Sequence, residues 1–209
     1  MAEKVYHYPL WIRIWHLFNA LFCLVLIVSG VSMQYASQGK MLLSFEWAVR
    51  LHNLCGAGLT LNYLLFFVGN LVTSNRRHYF HYERPFFAAL RRQIYYYTKG
   101  IFRKEPPPFP VTRQRKFNPL QKITYCIVMY IFVPLVIISG VLMLNISLLA
   151  NPRALLITDI VHIVAGFLIS LFLLVHLYFS TIGARHNYHA IVTGFHEEDD
   201  NNLDEKNKE

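Results

Sequence analysis

Four apolar runs, each long enough to cross a lipid bilayer, constrain this chain more than any other feature. They lie near residues 17–33, 54–73, 123–144 and 160–182, and a helix needs about 20 such residues to cross the hydrocarbon layer. Inside lipid every backbone N–H and C=O must be satisfied within the chain, so isolated runs of this length fold as helices. With their polar ends included, the spans are expected at about 13–36, 47–73, 121–146 and 155–183. The expected fold is an all-α membrane protein, a four-transmembrane-helix bundle over residues 1–194, followed by an acidic, disordered tail over 195–209. Composition agrees, since 55% of the 209 residues are hydrophobic and 15% charged, too apolar for an ordinary soluble domain. Lys4 and Arg13 precede an apolar run too long for a secretory signal core, so the first span is expected to stay.

Charge placement sets the expected orientation. Of the 20 Lys and Arg residues, 17 fall in the amino-terminal segment, the middle loop over 74–122 and the tail, whereas the two short loops hold Lys40, Arg50 and Arg153. The positive-inside rule then puts both termini and the middle loop in the cytoplasm and the short loops outside. Topology and contact with membrane lipid account for the net charge of +8, so no nucleic-acid partner is expected. Within 84–102, Phe86, Leu90, Ile94, Tyr97 and Ile101 recur at three- and four-residue intervals, with Arg91, Arg92 and Lys99 between them. That pattern predicts an amphipathic helix on the inner surface, and the prolines of 106–110 a stiff connector after it. Cys23, Cys55 and Cys126 lie in or beside spans, with no C-x-x-C-H motif, and are expected to be structural.

Histidines narrow the chemistry. His162 and His176 are fourteen residues apart on the last span, which is about 21 Å along a helix and within roughly 40° of one face. One helix therefore offers two stacked ligands. An internal repeat supplies a partner for the first of them: Ser29-Gly30, His52 and Gly56 recur as Ser139-Gly140, His162 and Gly166 at a constant offset of 110 residues. The same offset carries His16 to Cys126 and His176 back to Phe66, so the repeat fails there, yet His16 and His176 share a depth near the inner face. The expected pairs are His52 with His162 in an outer layer and His16 with His176 in an inner one. A single zinc site cannot span about 21 Å, and a proton relay would call for intramembrane carboxylates that the spans lack. Hydrogen bonds between helices explain a lone buried histidine; four at matched depths point to two haem b groups, each held by two imidazoles. Gly30, Gly56, Gly140 and Gly166 either leave room for the macrocycles or let helices pack closely. The i, i+3 pairs His78/His81 and His186/His189 are expected to be solvated rather than metal-binding.

The stretches Arg13-Ile-Trp-His16, Arg50-Leu-His52, Asn118-Pro-Leu-Gln-Lys122, Val161-His162 and His176-Leu-Tyr178 resemble the prokaryotic di-haem cytochrome b subunits. That cytochrome b561-type family includes the formate dehydrogenase gamma subunit and the cytochrome b subunits of thiosulfate reductases and nickel-iron hydrogenases. The likeness runs from Tyr6 to about Gly194. It implies that His16, His52, His162 and His176 are the axial ligands of haem iron. It also implies a multi-pass protein of the bacterial cytoplasmic (inner) membrane, with a quinone site near the inner haem at Asn118, with Gln121 and Lys122 close by, taking menaquinone or ubiquinone. Pro119 and Leu120 depart from the small residues that formate dehydrogenase subunits carry after this Asn. By its own chemistry Asn118 either donates to a quinone carbonyl or caps the helix before Pro119. Arg13 and Arg50 either bind haem propionates or reach to lipid headgroups.

The expected function is electron transfer between a periplasmic iron-sulfur or multihaem redox subunit and the quinone pool, by quinone reduction or quinol oxidation beside the inner haem. The chain has no iron-sulfur cysteine pattern, flavin fingerprint or molybdenum site, so substrate chemistry is expected on a partner subunit. A haem-free membrane anchor or assembly subunit, and a small transporter, are the alternatives; a haem count separates them.

Overall fold

The computed structural model describes residues 3–36, 42–80, 85–110, 112, 115–149, 151–181 and 188–198. Strand β1 (Glu3–Tyr6) leads into helix α1 (Leu10–Gln34), and α2 is Phe45–Val72. A short helix α3 (Arg77–Phe80) precedes α4 (Phe86–Tyr95), which continues through a π turn, Tyr96–Gly100, into a 3-10 turn, Ile101–Arg103. The third span is α5 (Pro119–Ile127), a π turn over Val128–Phe132 and α6 (Val133–Leu144), and the fourth is α7 (Pro152–Thr181). Helix α8 (Tyr188–Thr193) and strand β2 (Phe195–Glu198) complete the described chain. Four spans, Leu10–Gln34, Phe45–Val72, Pro119–Leu144 and Pro152–Thr181, are long and apolar enough to cross a membrane. They fall within a few residues of the spans expected from the sequence.

The spans pack as two hairpins, α1 against α2 and the third span against α7. Glycine makes the first contact close. A Cβ on Gly58 would stand 2.7 Å from the Phe22 ring, and one on Gly69 would stand 2.8 Å from the Trp11 ring, so these aromatic rings rest on helix backbone. Polar bonds fix the same seam. Trp15 Nε1 donates to the Asn62 carbonyl at 3.0 Å, and Asn62 Nδ2 returns a bond to the Trp15 carbonyl at 3.2 Å. Without water to compete, such reciprocal bonds hold register between helices. In the third span Pro134 lacks an N–H and its ring presses on the carbonyl four residues earlier. The π turn over Val128–Phe132 takes up that misfit.

The buried apolar cluster sits toward the end near the termini, the end of the bundle where the described chain begins and ends. Phe66, Tyr79, Phe117, Val128, Met129 and Val133 form it, with Trp15, Tyr125 and Phe172 packed around it. Helix α4 packs on α5, burying Ala89, Gln93 and Gly100. Phe86, Leu90, Tyr97 and Ile101 flank that face, half-buried, while Arg91, Arg92 and Lys99 are exposed. Ile94, expected on the apolar face, is exposed, and Gln93 faces the bundle in its place.

At the same end β1 pairs antiparallel with β2, with Tyr6 opposite Phe195 and their rings 5.2 Å apart. The turn between α8 and β2 needs glycine: Gly194 has φ +91° and its carbonyl accepts from His7 N and Tyr8 N at 2.9 and 3.2 Å. Arg13 donates to the Val192 carbonyl. The tail was expected to be disordered from residue 195, but Phe195–Glu198 is a paired strand, because β1 offers it an edge. Residues 199–209, Lys40, His81 and His186 lie outside the described residues.

Candidate functional site

Two pairs of imidazoles face each other inside the bundle. His52 on α2 and His162 on α7 have ring centres 6.1 Å apart, and His16 on α1 and His176 on α7 have the same separation of 6.1 Å. An iron gripped on opposite sides by two imidazole nitrogens, each about 2 Å away, sets the ring centres roughly 6 Å apart. Both pairs therefore have the spacing of axial ligands, and the structure brings together the partners that the repeat and the depth match implied.

The pair near the short loops is built twice from one motif. Ser29 Oγ donates to the Val25 carbonyl at 2.6 Å, so its lone pairs are free to accept, and His52 Nδ1 lies 3.0 Å away. Ser139 Oγ donates to the Leu135 carbonyl at 2.5 Å with His162 Nδ1 at 2.9 Å. With each hydroxyl hydrogen committed to backbone, Nδ1–H is the donor to serine, and Nε2 keeps the lone pair that a metal needs. The adjacent glycines seat the rings: a Cβ on Gly30 would lie 3.5 Å from His52 Cε1, and one on Gly140 would lie 3.3 Å from His162 Cε1. One turn further along each ring's own helix, on nearly the same face, a Cβ on Gly56 or Gly166 meets nothing within 4 Å. That leaves the space beside both histidines open to a large flat group. Of the two roles expected of them, room for a macrocycle or close helix packing, Gly30 and Gly140 show the close approach: each lets the imidazole of a neighbouring helix rest on its backbone.

The pair near the termini has no such symmetry. Tyr125 OH is 3.5 Å from His176 Nδ1, a long contact, and Phe172 stacks on His176 with ring centres 5.6 Å apart. The two positions that the repeat would fill with a second pair are used otherwise. Cys126 donates to the Tyr79 carbonyl at 3.6 Å, and Phe66, fully buried, stacks on Trp15 at 4.5 Å. A thiol and a packed aromatic ring therefore stand where the repeat would put a second pair of ligands.

A model of the prokaryotic cytochrome b561 family matches residues 7–194. The chain belongs to that family. It is accordingly a membrane haem b electron-transfer protein, and a multi-pass protein of the bacterial inner membrane. It is similar to the putative cytochrome YdhU of Escherichia coli (strain K12), with 32% identity over 207 residues that cover 93% of this chain and 76% of the relative. The donor set suits the haem b implied by the family: imidazoles in facing pairs, two of them with Nδ1 at a serine hydroxyl and open space alongside.

The other site residues expected of this cytochrome are placed as follows. Asn118 forms a capping box at the start of α5: its Oδ1 accepts from Gln121 N at 2.9 Å, and Gln121 Oε1 accepts from Asn118 N at 3.1 Å. Its Nδ2 donates to Tyr97 OH at 2.8 Å. The cap and the join to α4 use one of the two Nδ2 hydrogens, and the other has no partner among the described residues. Arg50 pairs with Glu46 at 2.6 Å in an exposed i, i+4 bridge. Arg13 is bonded to the Val192 carbonyl while its buried Nε has no hydrogen-bond partner among the described residues. Among the described residues no cluster of three or more His, Cys, Asp or Glu side chains could hold a free metal ion; His189 is exposed and His78 half-buried. Among the described residues Cys23, Cys55 and Cys126 form no disulfide.

Sequence reasoning passed over Ser29 and Ser139, although both stand inside the repeat, one residue before the glycines it marked. It also passed over Lys116, which is buried with its Nζ 4.0 Å from the centre of the Tyr8 ring. Burial pushes that ammonium down from 10.5 to about 8. His78, close by, is pushed down to about 4 by burial first and then by Lys116, Arg77, His7 and Lys122. This end of the molecule concentrates positive charge against aromatic rings.

Proposed function

We propose that this cytochrome carries two haem b groups and passes electrons between a periplasmic redox subunit and membrane quinone. The observation that carries the reading is the pair of facing imidazoles at each of two depths, both at 6.1 Å, with fourteen residues of α7 between the levels. His52 and His162 would hold one haem and His16 and His176 the other; each haem supplies a reversible one-electron carrier. Ser29 and Ser139 fix the rotation and tautomer of their imidazoles, and Tyr125 and Phe172 orient His176. The aromatic cluster around Phe66 excludes water from the interior beside the layer near the termini. The positive-inside asymmetry supports cytoplasmic termini, which puts the His52/His162 layer toward the periplasm, within reach of an iron-sulfur or multihaem partner.

Quinone chemistry belongs to the opposite end. Reducing one quinone to quinol takes two electrons and two protons, so the layer near the termini serves the quinone twice per turnover, and protons are exchanged with the cytoplasm. Asn118 supports a site there, because its free Nδ2 hydrogen can donate to a quinone carbonyl. Menaquinone and ubiquinone both offer that group.

A pyridine haemochrome assay on the purified full chain, with a redox titration, tests the reading. Two haems per chain with two resolved midpoint potentials are expected. One haem per chain in a fully loaded preparation would overturn the two-layer account, and none would favour a haem-free anchor or a transporter.

A further inference from the structure

Gln93 is almost completely buried, at 2% exposure, in the face of α4 that packs on the bundle, and its Oε1 has no hydrogen-bond partner among the described residues. A buried amide oxygen left without a donor destabilises the fold, so native chains keep such an atom when something else satisfies it. Its neighbour explains what that something is. Tyr97, one turn along, accepts from Asn118 Nδ2 at 2.8 Å, and its hydroxyl also interacts with the Gln93 amide. No hydrogen bond donated by the Tyr97 hydroxyl occurs among the described residues. Burial holds the phenol above its usual value against the opposing bonds from Asn118 and Gln93, so the proton stays on it. A free O–H donor and a free amide acceptor thus stand side by side at the buried edge of α4.

Their position is specific. The Tyr97 ring lies 4.5 Å from the ring of Phe179, which is three residues beyond His176 on α7. Both rings are half-buried, where α4 meets the end of the last span, and α4 presents exposed basic residues on its other side.

We propose that Gln93 and Tyr97 complete the quinone site that Asn118 opens: the Tyr97 hydroxyl donates to a carbonyl of the quinone, and Gln93 Oε1 accepts from a hydroxyl of the quinol. This rests on the quinone reading given above and adds its recognition chemistry. A carbonyl can only accept and a quinol hydroxyl can donate, so a site able to hold both redox forms needs one group of each kind. Asn118 and Tyr97 serve the oxidised form and Gln93 the reduced form.

The test uses the purified haem-loaded chain in nanodiscs and two probes that cannot turn over, menadione with the oxidised protein and menadiol with the dithionite-reduced protein. Calorimetry gives a Kd for each. Gln93→Met, which keeps length and removes the acceptor, is expected to weaken menadiol about tenfold while leaving menadione within about twofold. Tyr97→Phe is expected to weaken menadione about tenfold. Gln93→Glu, which retains an acceptor at that position, is expected to restore menadiol binding, and unchanged haem spectra in each variant show that the fold is intact. Unchanged Kd values for both probes in Gln93→Met and Tyr97→Phe, with the wild type binding normally, would overturn the proposal and leave Gln93 as an amide satisfied by water. A wild type that binds neither probe would instead overturn the quinone reading itself.

Discussion

The two histidine layers are made by different means. Near the short loops, each imidazole is held by a Ser-Gly step on the neighbouring helix, and the second copy of the step lies 110 residues after the first. Near the termini, one histidine leans on Tyr125 and Phe172, the other has Trp15 at its edge with ring centres 6.4 Å apart, and the repeat is broken by Phe66 and Cys126. The contrast teaches that a duplicated hairpin can keep its symmetry where both halves do one job and lose it where a site must differ from its mirror image. The layer beside the polar groups of α4 and α5 is the asymmetric one.

The largest expected effect tests the independence of the layers. His162→Ala should remove one haem of two, leaving the His16/His176 spectrum intact, and His176→Ala should do the converse; haemochrome counts and low-temperature spectra read both. Equal loss of both components from a folded variant would show that the layers are coupled. Next comes the clasp of β1, β2 and Arg13, which ties the start of α1 to the segment after α7 and so bears on His16 and His176. Gly194→Val places a β-branched residue at φ +91° and drives its side chain into the Tyr6 ring and Tyr8 carbonyl. Thermal release of haem should then speed up at the layer near the termini and stay unchanged at the other.

A smaller effect should appear in the potentials. A hydrogen bond from Nδ1–H to serine raises the basicity of the imidazole and favours ferric iron. Ser29→Ala and Ser139→Ala should therefore each raise the potential of the same haem, by about 20–60 mV if the bond contributes about 0.5–1.5 kcal/mol. Tyr125→Phe, which deletes only a 3.5 Å contact, should move the other haem less. Redox titration measures all three, and a larger shift for Tyr125→Phe would reverse the contrast between the layers.

The smallest effect concerns pH and is confined to the end near the termini. His78 ordinarily titrates near 6.5 and in the folded chain near 4. Between those values the unfolded chain binds more protons, so stability falls as pH drops from 6.5 to 4. Lys116 behaves likewise at higher pH: its charged form is penalised in the fold, and stability is regained as pH rises from about 8 to 10.5. Thermal unfolding across pH should show both slopes, with the acid one flattened in His78→Gln and the alkaline one in Lys116→Met.

Most of the fold was legible because a span announces itself locally, by length and apolarity. The surface helix was legible for a similar reason, except that its inward face includes Gln93 and leaves Ile94 exposed. A polar residue buried there is chosen by the partner it meets, and hydropathy periodicity carries no information about that. The strand pair of the termini was illegible: Glu3–Tyr6 and Phe195–Glu198 are short, polar in part and far apart in the chain. The tail's charges pointed to disorder. The candidate site was legible at its histidines, whose cost in lipid makes them conspicuous, and less so at Ser29 and Ser139, since a serine in a span usually satisfies itself on the carbonyl four residues back.

The sequence by itself determined four membrane helices, the levels of four histidines along them and a duplication relating two of those histidines, since each is a matter of spacing along one chain. Only the tertiary structure decided that Ser29 holds His52, that Asn118 reaches Tyr97 from the cap of α5, and that Trp15 and Asn62 join α1 to α2. Those choices depend on which surfaces meet, and hydrogen bonds are directional over about 3 Å, a precision that spacing along the chain does not carry across helices.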